Sequence, residues 1–432
     1  MEIKKLKDLC IGKGEYGIAA PAEPFSESKY RYLRITDISD NGTLLSDDPK
    51  SVSCQGCEKC ILQENDIVFA RTGNSTGRAF FYEPKYGELV YAGFLIKFHL
   101  DDTKVNPKYM KYYTISQTYR NWVNNGPTGS TRGNMSEGDF ADMPVFLPSR
   151  KQQDAIVNLF SPLDDKIDNN NAIAAELEGM AKDLYDYWFV QFDFPDENGK
   201  PYKSSGGKMV WNEELKREIP EGWEVASFSK CIQSINTGLN PRDNFKLNTG
   251  GTVRYITVKN LTTNGSIDFS SCDFIDNKAR DIVHQRSDIS KGDILFASIA
   301  PLGRCFLIDE SPENWDINES VFSIRPNYAN VTSLFLYMTF MGETFIKTAT
   351  NSSTGSVFKG IRINDLLNMK TIIPALPVLK SFDKQMNPMF AMKSKCSNEI
   401  LELASLRDFL LPMLMNGQVS VREKPSISNV SG

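Results

Sequence analysis

Three turns of the chain combine glycine, hydroxyl, amide and guanidinium groups at a density that suits contact with nucleic acid. Residues 71–78 read Arg-Thr-Gly-Asn-Ser-Thr-Gly-Arg, residues 127–134 read Pro-Thr-Gly-Ser-Thr-Arg-Gly-Asn, and Arg31 and Arg34 stand ahead of an Asn-Gly turn at 41–42. Glycine and short hydroxyl side chains let backbone N–H groups approach phosphates, while Arg and Asn carry donor patterns that match guanine and adenine edges. The same composition also suits plain turns, in which glycine supplies positive φ and Ser or Thr bonds the nearby backbone. Residue types alone leave both readings open.

Other motifs carry less chemistry. Cys54, Cys57 and Cys60 make two C-x-x-C steps, half of a structural zinc site, but a fourth ligand such as Cys10 or His99 would have to arrive through the fold. A thiol-rich loop is the preferred expectation, and no metal is assigned. Residues 12–17 satisfy G-x-G-x-x-G without a following helix to receive a pyrophosphate. Residues 106–109, Asn-Pro-Lys-Tyr, resemble the Asn-Pro-Pro-Tyr motif of adenine methyltransferases, but no glycine-rich cofactor loop accompanies them, and Asn capping a helix with Pro in its first turn explains them better. With His99 and His284 the only histidines, a histidine-based catalytic centre has little material, and each reads as a surface or packing residue. No catalytic residue is assigned.

Composition sets the frame for these candidates. A chain of 432 residues divides into two or more domains. Hydrophobic residues at 41% and charged residues at 24% suit a soluble globular protein, and no apolar run suggests a membrane span. The N-terminus lacks the apolar stretch of a signal peptide, so the cytoplasm is expected, with the eight cysteines as thiols. The net charge of −5 does not announce a nucleic-acid partner, and its acidity is concentrated in residues 151–212, which hold 6 basic and 11 acidic side chains.

Most of the chain is a duplication. Residues 31–42, Arg-Tyr-Leu-Arg-Ile-Thr-Asp-Ile-Ser-Asp-Asn-Gly, return as residues 254–265, Arg-Tyr-Ile-Thr-Val-Lys-Asn-Leu-Thr-Thr-Asn-Gly. Asp66 to Arg71 is answered by Asp293 to Ser298, Gly77-Arg78 by Gly303-Arg304, and Thr128-Gly129-Ser130 by Thr354-Gly355-Ser356. Two long copies mean a duplicated domain, not a solenoid.

Each copy opens with short β-branched and aromatic runs broken by Gly, Asn, Asp and Pro. Residues 66–70, 78–82 and 321–325 are expected as strands. Each copy ends differently. Ile156, Phe160, Leu163, Ile167, Asn170, Ala174, Leu177, Ala181, Leu184 and Trp188 recur at steps of four and three, a heptad seam. The corresponding Phe382, Met386, Met389, Lys393, Cys396, Ile400, Leu403, Arg407, Leu410 and Leu414 keep that register with two basic interruptions. Such a seam would be roughly 50 Å long at about 1.5 Å per residue. Pro162 and Pro412 are expected to kink or end the helices locally, and polar Asn170, Lys393 and Arg407 to fix register or mark where another chain docks.

Together the duplicated plan, residues 32–38 (Tyr-Leu-Arg-Ile-Thr-Asp-Ile), residues 66–73, the two Thr-Gly-Ser turns and residues 187–194 (Tyr-Trp-Phe-Val-Gln-Phe-Asp-Phe) resemble the specificity subunit of a type I restriction-modification enzyme, over residues 1–417. The resemblance implies an α+β chain in which two tandem target-recognition domains, each a mixed sheet plus helices, are separated by two long antiparallel coiled-coil helices with pseudo-two-fold symmetry. The expected boundaries are 1–150 and 213–376 for the recognition domains, 151–212 for the central helix and linker, 377–417 for the C-terminal helix, and 418–432 for a flexible tail.

The family implies double-stranded DNA as ligand, with each domain contacting one part of a bipartite target. It also implies two methyltransferase subunits that methylate adenine N6 with S-adenosylmethionine, and motor-nuclease subunits using ATP and Mg, so that the chemistry lies in other chains and this chain is no enzyme. The DNA-contacting set expected in the first copy is Arg31, Arg34, Arg71, Thr72, Asn74, Ser75, Arg78, Thr128, Ser130, Thr131, Arg132 and Asn134. In the second it is Arg242, Arg254, Lys259, Ser298, Arg304, Thr354, Ser356, Lys359 and Arg362. Because both copies share Thr-Gly-Ser while their targets differ, that turn is expected to shape the face or hold phosphate. Base reading falls to Thr131, Arg132 and Asn134 in one copy and to Phe358, Lys359 and Arg362 in the other. The competing reading is a non-DNA adaptor with two binding modules on a coiled-coil spacer.

Overall fold

The computed structural model describes residues 2–45, 48–126, 133–352, 360–415 and 417–419. The chain forms two compact units, one of Met1–Asn169 with Glu399–Gly432, the other of Asn170–Asn398. Both are α+β, with parallel and antiparallel strand pairs.

In the first unit the apolar run Asp66–Ala70 is a strand buried along its whole length, as its β-branched and aromatic content predicts. It lies between Leu95–His99 and Ala79–Phe81 in a four-stranded antiparallel sheet whose outer member is Glu15–Tyr16. A second four-stranded sheet pairs Tyr30–Leu33 antiparallel with Lys50–Val52 and parallel with Leu89–Tyr91. Asn106 caps the helix Pro107–Tyr113 by accepting the Lys108 backbone N–H at 3.1 Å, which accounts for the Asn-Pro-Lys-Tyr motif.

The second unit repeats the plan. Ile294–Ala297, also buried throughout, pairs antiparallel with Val321–Pro326 and Cys305–Leu307, and Val253–Ile256 again pairs parallel with a later strand, Trp315–Ile317. The short capped turns match as well: Asp37 accepts from the Arg34 backbone N–H, and Asn260 accepts from that of Thr257.

Two long helices, Arg150–Tyr185 and Leu376–Met415, carry the heptad seams. All twenty seam positions are buried or half-buried. In the first unit Ile156, Val157 and Phe160 pack with Leu411, Leu414 and Met415, and in the second Ala181 and Trp188 pack with Phe382 and Met386. Within each unit the later residues of one helix meet the earlier residues of the other, so the pairing is antiparallel.

The expectation that a proline would end a seam helix is corrected. Neither Pro162 nor Pro412 ends its helix. An interior proline costs about 3 kcal/mol, and one buried apolar side chain returns roughly 1.5–3 kcal/mol, so seam residues such as Phe160 and Leu414 on both sides outweigh it. Lys393 and Arg407, expected to fix register or to mark a docking point, each have partners within their own unit. Lys393 Nζ donates to the Asn264 carbonyl at 2.8 Å and pairs with Glu178, while Arg407 Nη1 reaches Asp164 at 3.3 Å.

Candidate nucleic-acid interface

The turn at residues 71–78 leaves the buried strand Asp66–Ala70 and is anchored at several points. The Arg71 backbone N–H donates to Phe94 O at 3.1 Å, and Arg71 O accepts from Met135 N–H at 2.8 Å. Thr72 bridges to Asn134, and Thr76 Oγ1 lies 2.8 Å from Gly73 O and 2.6 Å from Gly133 O. Gly77 has φ +82°, and a Cβ there would meet Val123 Cγ1 at 2.4 Å. The turn is thus sewn to the end of the second glycine-rich turn. The second unit makes the same junction: Ile299 bridges to Gly360, and Ile361 N–H donates to Ser298 O at 2.8 Å.

The expected contact residues separate by what they touch. Thr72 is half-buried at this edge, and Asn74 and Asn134 are exposed on it. Arg71 Cζ lies over the Tyr16 ring, 5.2 Å from its centroid, and Nη2 donates to Asn134 Oδ1 at 3.2 Å. Ser75 is buried.

The other arginines of the first unit have internal partners. Arg34 Nη2 lies 2.6 Å from Asp37 Oδ1 and donates to Asp48 O at 2.9 Å; the bond to Asp37 holds its guanidinium above the usual value. Arg78 Nε lies 2.7 Å from Asp40 Oδ1, and Arg31 donates to Leu45 O at 3.1 Å while burial pushes it below the usual arginine value. These groups brace the turns that carry them. Thr128, Ser130, Thr131 and Arg132 lie outside the described residues.

In the second unit Ser298 is buried, and its hydroxyl donates to Ser320 O at 2.7 Å. Arg254 lies over Phe269 at 5.3 Å, Lys259 pairs with Asp273 at 3.3 Å, and half-buried Arg304 has an enclosed Nε with no hydrogen-bond partner. Arg242 and Arg362 are exposed, the latter preceding the short helix Ile363–Asn368. Thr354, Ser356, Phe358 and Lys359 lie outside the described residues.

Sequence reasoning missed two residues of the first unit. Tyr16 sits in the G-x-G-x-x-G stretch, whose glycines serve close packing: a Cβ on Gly14 would meet Phe98 at 2.6 Å, and one on Gly17 would meet the Tyr91 and Ala92 carbonyls at 2.3 Å. Arg120, on the helix Gln117–Asn125, donates to Asn41 Oδ1 at 3.0 Å and so covers the same Asp40–Asn41 corner that Arg78 holds. Neither residue has a local sequence signal, since each acts through a partner distant in the chain.

Both histidines face buried carboxylates. His99 Nδ1 lies 2.8 Å from Asp66 and His284 Nδ1 lies 3.0 Å from Asp316; burial pushes both aspartates above the usual carboxylate range. The all-thiol expectation is corrected at one place, because Cys54 and Cys57 are joined as a disulfide while Cys60 beside them stays a thiol in the same apolar cluster. Among the described residues no group of three or more His, Cys, Asp or Glu is placed to hold a metal ion, and no helix is long and apolar enough to cross a membrane.

Comparison with known proteins agrees with this duplicated plan. Residues 1–179 and 220–387 each match the family described as type I restriction modification DNA specificity domain. The chain is 25% identical to the type I restriction enzyme MjaIX specificity subunit of Methanocaldococcus jannaschii, over 73% of this chain and 70% of that one. It is 21% identical to the HindI specificity subunit of Haemophilus influenzae, over 90% of this chain and 94% of that one. Among solved structures, the type I restriction-modification S subunit from M. genitalium has a similar fold, with a TM-score of 0.53 and 14% identity over 98% and 96% of the two chains.

Proposed function

This chain belongs to the type I restriction-modification DNA specificity family, and from that premise we propose that each of its two units reads one half of a bipartite DNA target. The observation that carries this reading is the junction made in both units, where the turn leaving a buried strand is tied to the end of a second glycine-rich turn. A composite edge of that kind offers side chains of different identity from a shared frame, which is what two half-sites of different sequence require. The absence of a basic excess in residues 1–150, which hold 19 basic and 19 acidic side chains, fits an assembly in which other subunits supply much of the phosphate neutralisation.

The chain itself directs the chemistry without performing it. Two methyltransferase subunits methylate adenine N6 with S-adenosylmethionine, and motor-nuclease subunits use ATP and Mg to restrict unmodified DNA, all in the cytoplasm. The paired helices set the number of unread base pairs between the half-sites.

Co-expression with the modification subunit and mapping of N6-methyladenine tests the reading. A two-part motif is expected, and exchanging residues 1–150 for another recognition domain changes one part alone. If both parts change, or the motif ignores the exchange, the modular reading fails.

A further inference from the structure

Among the described residues of the first unit, Arg71 is the arginine whose guanidinium touches neither a carboxylate nor a backbone carbonyl. Arg34, Arg78, Arg150 and Arg407 face carboxylates, and Arg31 and Arg120 donate to carbonyls. Arg71 is instead held by two neutral groups. The Tyr16 ring, its centroid 5.2 Å from Arg71 Cζ, bounds the guanidinium on one side, and Asn134 Oδ1, 3.2 Å from Nη2, restrains its rotation. Its Nε is enclosed without a hydrogen-bond partner, so the Nη1 and Nη2 edge is what remains to meet a ligand. Tyr16 is itself fixed, by strand pairing with Ile96 and by the Glu137 backbone N–H donating to its hydroxyl at 3.2 Å.

We propose that Arg71, oriented by Tyr16 and Asn134, reads a guanine in the half-site of the first unit, with Tyr16 as its positioning residue. This rests on the DNA-reading function proposed above and names the base. A planar fork of parallel donors matches the O6 and N7 acceptors of guanine in the major groove. Adenine offers N7 beside an N6 donor, which such a fork meets with a clash of donors. Asn134 Oδ1 accepts from Arg71 through one of its two lone pairs, which turns its amide oxygen toward the guanidinium. A phosphate also accepts such a fork through two oxygens, so base and phosphate contacts are separated by sequence dependence and by salt dependence. The second unit has Ser298 at the matching position, with its hydroxyl bonded to Ser320 O, so the guanine contact belongs to one half-site.

The test uses the complex with its modification subunit, reading the methylated motif and the binding of duplexes that carry each base at every half-site position. The wild type requires a guanine in the part read by residues 1–150, and replacing it with 7-deazaguanine, which lacks N7, weakens binding. Arg71→Ala and Tyr16→Ala each reduce the preference for that guanine by roughly 5- to 150-fold while the other positions stay selective. Arg71→Lys keeps the charge without the fork and loses the preference too, whereas Tyr16→Phe restores it. A uniform loss of affinity across sequences, with the salt dependence falling by about one charge, identifies a phosphate contact and overturns the assignment. A motif unchanged in every variant overturns it as well, leaving the functional reading intact. A wild-type complex that marks no defined sequence overturns both.

Discussion

His99 Nδ1 lies 2.8 Å from Asp66 across an antiparallel strand pair, and the second unit places Arg325 on Asp293 at the matching position, Nε to Oδ1 at 2.9 Å. The duplication has kept a nitrogen-bearing side chain opposite a buried aspartate while changing which residue supplies it. Asp66 opens the buried strand Asp66–Ala70 and Asp293 immediately precedes the buried strand Ile294–Ala297, so each pair sits at the start of the strand that leads to the joined turns.

Replacing His99 should therefore leave Asp66 buried without its side-chain partner. His99→Ala is expected to destabilise the first unit by about 1–3 kcal/mol, read from urea midpoints, while His99→Arg should recover the loss by reproducing the other unit. Burial raises the Asp66 pKa above 3.8. A raised carboxyl pKa favours folding below the unfolded value and loses that contribution as pH rises through the folded one. The loss from His99→Ala should be small below pH 3.8 and grow above it; a pH-independent loss would remove the charge from the explanation.

Asp164 accepts from the Tyr112 hydroxyl at 3.0 Å and pairs with Lys111 at 2.9 Å and Arg407 at 3.3 Å, all within the first unit. Asp164→Ala should cost about 3–5 kcal/mol by leaving two enclosed cations without it. Arg407→Met should cost less, because Asp164 keeps Lys111 and Tyr112. Equal losses in thermal unfolding would contradict this ordering.

Glu83 sits among Lys85, Lys108 and Lys111 at 3.3, 3.0 and 3.4 Å. Burial pushes its carboxyl up, but the three lysines outweigh that and hold it at about 2, against an ordinary 4.5. A depressed carboxyl pKa contributes stability above the unfolded value and loses it as pH falls through the folded one. The first unit should weaken from about pH 4.5 down to about pH 2, and Glu83→Gln should flatten that segment of the stability profile.

Gly77 and Gly303 have φ of +82° and +89°, and a Cβ at either would press on a β-branched helix residue, Val123 or Ile346. Ala at either position should destabilise its own unit by at least about 1–2 kcal/mol from the backbone alone. The turn beside it should shift with the contact, visible as altered base preference in that half-site only.

The sequence by itself determined what depends on near neighbours and on period. The duplication, the strands at Asp66–Ala70 and Val321–Pro326, the Asn106 cap and both heptad seams all follow from residue types at short spacing, because strand and helix faces repeat every two residues or at steps of three and four. Tertiary structure alone decided which charged groups remain available. Arg34, Arg71 and Arg78 look alike along the chain, yet Asp37 and Asp40 hold two of them while Tyr16 and Asn134 leave the third with an outward edge. Likewise the seam could be read from its spacing, but not that Lys393 would reach Asn264 or that Arg407 would reach Asp164. The physical reason is the same in each case. Periodicity is written locally, whereas the partner of a buried charge is whatever the fold brings within about 3–4 Å, and apart from Arg34 with Asp37, three residues on, those partners stand far away in sequence.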